Sequence, residues 1–412
     1  MHLRQRAVPP RDATAVGSIA IVSSPNGPAV PARAPSTVRG GALDGLRFFA
    51  ALFVVVFHFG DEAPIAITSL HEGLGRGYLA TDFFLMLSGF VLARAYGASV
   101  ASGSVSLGRF WWKRFARCYP THLITLGLLA IMVGTAALLG IAAGHPENFP
   151  WSGLPAQILL LHTFGLGGGQ WNIPSWTLSA LLVCYAAFPW LWRRMLVIHH
   201  PFTALGLGLL ILIGADLASL GLLGAEQFSL PFQWAFVRAA PLFLVGLTLA
   251  RIVQTGSWTP RLARVTGLSG TALLLGNAAL SGPDLINVLA IATVIVGCGA
   301  APVARPVPGA EWGARVSFSL FMTHTLTGAV WFGLVVPQLV QQVPTFGTVA
   351  WQGWMLWLGA GAAALVVADV YNRLIDAPLQ RRLNAKLFAP GARSPFSRWP
   401  RPDRCPAPEP SA

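Results

Sequence analysis

One arginine and one histidine interrupt the apolar stretch from Gly45 to Gly60, which reads GLRFFAALFVVVFHFG. Eleven helical steps separate Arg47 from His58, about three full turns. A helix therefore puts both on one face, roughly 16 Å apart along its axis. Ionisable side chains inside membrane-length apolar runs are costly, so each is a functional candidate. A neutral imidazole accepts a proton from a hydroxyl, or carries an acyl group itself as an acyl-imidazole. An arginine fork matches carbonyl and phosphate oxygens. The plain alternatives are an arginine that snorkels to the headgroups and a histidine hydrogen-bonded to a neighbouring helix.

Further candidates follow along the chain. Asp82 opens the next apolar run, at a depth similar to His58, where a carboxylate can orient an imidazole. The plain role there is a helix N-cap. Ser88 and Gly89, further along, suit close helix packing. The stretch RFWWKRFARCYPTHL puts Trp111 and Trp112 beside Lys113, Arg114 and Arg117. That composition anchors in anionic headgroups or holds the phosphates of a cofactor. Arg238 reads as an interfacial anchor, and His324 sits in the middle of FSLFMTHTLTGAVW. Cys118, Cys184, Cys298 and Cys405 form no CxxC pair, so neither a zinc site nor a disulfide frame is expected, and no metal is invoked.

These side chains need elements to hold them, and composition says which. The 412 residues are 54% hydrophobic and only 10% charged, with mean hydropathy +0.60. Ordinary soluble proteins carry about 25% charge. This excludes a conventional soluble enzyme, a disordered protein and a disulfide-stapled module. The expected fold class is all-α, a polytopic membrane helical bundle.

Apolar runs of spanning length fall at 43–60, 78–97, 120–142, 176–196, 202–223, 233–251, 264–282, 284–301, 315–336 and 349–373. The run 154–164 is too short to span, and a glycine-rich stretch follows it. It is expected to be re-entrant, with residues 154–175 dipping in beside His58. With that choice the basic clusters share one side, from Arg94, Arg109 and Arg117 through Arg193, Arg194, Arg261 and Arg315 to Arg373. The other side carries Asp61, Glu72, Glu147, Glu226 and Asp284, with Arg76 its one basic residue. The positive-inside rule then gives about ten spans in the inner (plasma) membrane, with both termini cytoplasmic. The net charge of +13 is loop bias, not a nucleic-acid surface. The expected organisation is a disordered tail at 1–40, a transmembrane domain at 41–388 and a basic tail at 389–412.

The segments LDGLRFFAALFVVVFHF, TDFFLMLSGFVLA, RFARCYPTH, NIPSWTLS, RAAPLFLVGLTLAR, FSLFMTH and IDAPLQRRL occur in that order. Over residues 43 to about 385 the chain resembles the acyltransferase 3 family of integral-membrane O-acyltransferases. The resemblance implies transfer of an acyl group, commonly acetyl from cytosolic acetyl-CoA, to a hydroxyl of a carbohydrate or glycoconjugate. It places the key pair on Arg47 and His58 and the arginine motif on Arg114 and Arg117. The sequence departs from the family at Leu181, where a glutamate usually ends SWSLSVE, and at Asp376-Ala377-Pro378, where the acidic residue is usually Glu. No SGNH-type esterase domain follows, so the acceptor falls to the membrane domain or to a partner.

The resulting expectation has His58 as base or acyl carrier, oriented by Asp82, with Arg47 on the donor's carbonyl or pantetheine arm. Arg114 and Arg117 hold the phosphates of acyl-CoA, and Ser175, Trp176 and His324 line the acceptor cavity. Open acceptors are exopolysaccharide, lipopolysaccharide, peptidoglycan, or a glycosylated or macrolide metabolite. A glycan transporter or flippase accounts for intramembrane charge equally well, and Leu181 leaves room for an inactive scaffold.

Overall fold

The computed structural model describes residues 41–141, 146–166, 171–303, 306–343 and 349–388. All regular structure among the described residues is helical. The tails at 1–40 and 389–412, and glycines 167–169, lie outside the described residues.

Each of the ten apolar runs is a helix or part of one. They are α1 (Ala42–His58), α2 (Tyr78–Ala101), α3 (Leu107–Leu138), α4 (Ser175–Met195), α5 (Pro201–Leu223), α6 (Ala235–Thr255), α7 (Pro260–Ala279), α8 (Asp284–Ala300), α9 (Ala310–Val330) and α10 (Ala350–Tyr371). An amphipathic helix, α11 (Ala377–Phe388), follows. Pro120, Pro189 and Pro241 lie inside α3, α4 and α6. Membrane helices tolerate such breaks because neighbouring groups satisfy the freed backbone.

Among the described residues, seven helices are long and apolar enough to cross a membrane. The other three of the ten are α1, α7 and α8. At 17 residues α1 and α8 reach about 25 Å, just under the hydrocarbon thickness. The first turns of α7 carry Arg261 and Arg264.

Two boundaries differ from the sequence expectation. Helix α3 starts at Leu107, so the aromatic and basic stretch 109–119 belongs to the helix that crosses and is not a separate interfacial strip. Helix α9 runs on through a π-turn, Trp331–Val335, into Val336–Gln342.

The run 154–164 does break up, into a five-residue helix Leu154–Ile158 and a 3₁₀ turn His162–Phe164. Gly165 ends it at φ 74°, a left-handed conformation that a glycine adopts without strain. Asn172 Nδ2 donates to Thr125 Oγ1 at 3.0 Å and to the Met322 carbonyl at 3.3 Å, which ties this segment to α3 and α9.

Two packings position the site. Helix α1 lies against α9 and α2, and α2 lies against α6. At the α2–α6 crossing, Gly246 backs onto the Met86 carbonyl and Gly89 onto that of Phe243. A Cβ at these positions would come within 2.0 and 2.3 Å of those oxygens. Small residues let the two backbones touch, which is how membrane helices associate without a hydrophobic drive.

Candidate active site

His58 is the last residue of α1. Gly77, at the start of α2, packs directly on Phe57, where a Cβ would fall 2.1 Å from that side chain. The end of α1 and the start of α2 therefore meet, and between them opens a cavity of about 380 Å³. Its lining includes His58, Tyr78, Thr81, Trp176, Phe228 and Arg238.

Behind His58 stands His324, fully buried on α9. Its Nδ1 lies 2.9 Å from the Phe321 carbonyl and 3.2 Å from that of Leu320. Carbonyls only accept, so Nδ1 carries the hydrogen and donates it. The other nitrogen, Nε2, is then an acceptor, and it sits 2.9 Å from His58 Nδ1. His58 Nδ1–H donates across this contact, with the ring planes inclined by 25° and the centroids 4.9 Å apart. These protons are assigned from the partners' chemistry. In the neutral His58 ring, the remaining nitrogen Nε2 keeps its lone pair.

Asp82 does not hold His58, contrary to the sequence expectation. Arg238 Nε donates to Asp82 Oδ1 and Nη2 to Oδ2, each at 2.8 Å. Asp82 is entirely buried and Arg238 is 6% exposed. Helix α2 turns this carboxylate toward α6. Arg238 is accordingly no interfacial anchor. Ser175 is buried with its Oγ 3.3 Å from His162 Nε2, so it supports the short segment and is absent from the cavity lining. Trp176 lines the cavity, as expected. His324 acts on the cavity through His58 and is not part of its lining.

Three turns along α1, Arg47 borders a second cavity of about 800 Å³ at the other end of the helix. Asp44, Arg117, Arg315, Asp376 and Arg381 also line it. Arg117 Nη1 donates to Asp376 Oδ2 at 2.9 Å, and its guanidinium lies over the Phe318 ring. Asp376 belongs to a π-turn, Asn372–Asp376, and also accepts from Thr121 at 2.8 Å and Gln380 at 2.7 Å. Such turns re-aim side chains at functional sites.

The two arginines of the motif part company. Arg114 donates to Tyr96 Oη at 3.2 Å and lies over that ring, outside the cavity lining. Sequence reasoning missed Arg315, Arg381 and Asp376 as neighbours of Arg47, since they come from α9, α11 and the turn before α11. The available signal was the basic cluster around 315 and 373–382, which read only as loop charge.

Residues 41–373 match the acyltransferase domain model that defines the family. The chain belongs to the acyltransferase 3 family. It is 28% identical over 413 residues to Acyltransferase MdmB of Streptomyces mycarofaciens, spanning 91% of this chain and 98% of that protein. A 103-residue stretch is 40% identical to Protein 2 in picA locus of Rhizobium radiobacter, covering 24% of this chain and 48% of that one. No solved structure matches the chain. It is thus a multi-pass membrane acyltransferase. Leu181, at the position where the resemblance implied a glutamate, is buried in the main apolar core among residues of α2, α4 and α6.

Proposed function

We propose that this acyltransferase moves an acyl group, in the simplest case acetyl from acetyl-CoA, to a hydroxyl of a carbohydrate or glycoconjugate. The observation that carries the reading is the His324–His58 hydrogen bond, which engages Nδ1 and leaves Nε2 as the lone-pair nitrogen of a residue that lines the cavity. An alcohol does not ionise near neutral pH, so its attack on a thioester needs a positioned base. Nε2 takes the hydroxyl proton as the oxygen bonds to the acyl carbon. The carbon–sulfur bond breaks, and the proton passes from His58 to the leaving thiolate.

Arg47 lies about 16 Å along α1 from this chemistry, too far to touch the reacting carbonyl. Its role is therefore on the donor's arm or phosphates. Arg381 also lines that cavity, with Arg117 and Arg315, whose ion pairs to Asp376 and Glu311 each engage one nitrogen of the guanidinium, and bidentate phosphate recognition suits arginine. An extended pantetheine arm would carry the acyl group along α1 toward His58. The charge bias assigns the Arg47 end to the cytoplasm, where acyl-CoA is made, with ten spans and both termini inside.

The test uses purified protein in nanodiscs with labelled acetyl-CoA and a simple glycoside. The reading requires label in an ester of the glycoside and one free CoA thiol per ester formed. Binding of acetyl-CoA with neither product would contradict it.

A further inference from the structure

The cavity at His58 contains one ionic side chain among its described lining residues, Arg238, and that charge is already used. Asp82 takes two of its N–H groups in a bidentate fork. Nη1 donates to the Phe228 carbonyl at 2.7 Å and Nη2 also reaches the Tyr78 carbonyl at 3.3 Å. The guanidinium face is occupied as well, with Cζ 5.3 Å from the Tyr78 ring centroid and 5.9 Å from that of Trp176. Both Asp82 oxygens accept N–H groups from Arg238, so neither carries a proton toward it and the pair is neutral.

An incoming carboxylate, phosphate or sulfate therefore meets a cation whose charge Asp82 already neutralises. It would lose its water and gain no opposite charge of its own. The remaining walls are mostly apolar, with Val54, Phe57, Phe228 and Leu230 among them, and Thr81 and Ser229 supply hydroxyls. At about 380 Å³ the space is at the small end of ligand cavities.

We infer that the acceptor enters this cavity as a single neutral, weakly polar ring bearing the reactive hydroxyl, such as a neutral or deoxy glycoside unit. Acidic sugars and phosphorylated units are excluded from it. The inference rests on the proposed role of the His58 cavity as the acceptor site.

The experiment compares matched methyl glycosides with labelled acetyl-CoA as donor: a 6-deoxyhexoside, the hexoside and the hexuronoside. Wild-type protein should favour the neutral pair over the uronoside by about tenfold or more in kcat/KM, since each 1.4 kcal/mol is a factor of ten. Ser229 is an exposed lining residue, so Ser229→Lys adds a cation at low folding risk. It should narrow or invert that ratio, and Asp82→Asn, which unmasks Arg238, should do the same where it folds.

Equal or better use of the uronoside by wild type would overturn the inference. A ratio unmoved by Ser229→Lys would place the discrimination elsewhere and overturn it too. Acetyl-CoA hydrolysis without label on any of the three glycosides would sink the neutral-ring acceptor while leaving acyl-donor chemistry intact. Absence of both hydrolysis and transfer would remove the acyltransfer reading on which the inference rests.

Discussion

Replacing His324 by Ala takes away the side-chain acceptor for His58 Nδ1–H and leaves only the Val54 carbonyl one turn back on the same helix, which loosens the ring's orientation and tautomer. In a catalytic triad, loss of the correct tautomer costs about 10⁴ in rate with the geometry intact. For a histidine partner without charge we expect a drop of about 10²-fold in kcat, with the KM for acetyl-CoA unchanged. His324→Gln, which can still offer an amide oxygen, should recover part of it. A rise in donor KM instead would move His324 out of this role. The two motif arginines offer a contrast at the same scale. Arg117→Ala, at the Arg47 cavity, should weaken acetyl-CoA binding by about 1.5–3 kcal/mol, the worth of a charge-assisted hydrogen bond. Arg114→Ala should change it far less, because Tyr96 holds that guanidinium. Labelled acetyl-CoA binding to the two variants checks the order, and an equal loss in both would contradict it.

The α2–α6 pair carries its own test, because one crossing holds both the glycine contact and the buried ion pair. Breaking such a pair by removing one partner strands a charge, at a cost of about 3–5 kcal/mol. Asp82→Ala should therefore lower thermal stability in detergent sharply. Asp82→Leu combined with Arg238→Met should regain much of it, since an apolar pair of similar volume has no charge to desolvate. A double variant as unstable as Asp82→Ala would show that the pair contributes more than mutual neutralisation. This element also shows what a sequence conceals. Hydropathy gives the depth of each intramembrane residue but not the direction it faces around its helix. The apolar runs put Asp82 and His58 at a similar expected depth, so they read as partners, yet the partner of Asp82 lies 156 residues away on α6. His324, 266 residues from His58, read as a cavity residue for the same reason. What was legible was what periodicity and local composition control. The Arg47–His58 spacing along one helix, the ten helices and the break after residue 154 all belong to that class.

At the scale of the whole molecule, two cavities lie at opposite ends of α1, and the proposed placement of the donor at the Arg47 end and the acceptor at the His58 end would make the reaction directional. That direction depends on the short segment 154–164 not crossing. Single cysteines at Asn148 and His200, in a background without native cysteines, should respond oppositely to an impermeant thiol reagent. Position 148 should label from outside, and 200 only after the membrane is opened. Outside labelling at 200 would reverse every later loop. The central claim, however, is chemical. His58→Ala should fold, insert and bind labelled acetyl-CoA as wild type does, yet lose transfer by about 10²–10⁴-fold, the range of a general base. Transfer within a few-fold of wild type in that variant would contradict the assignment of His58.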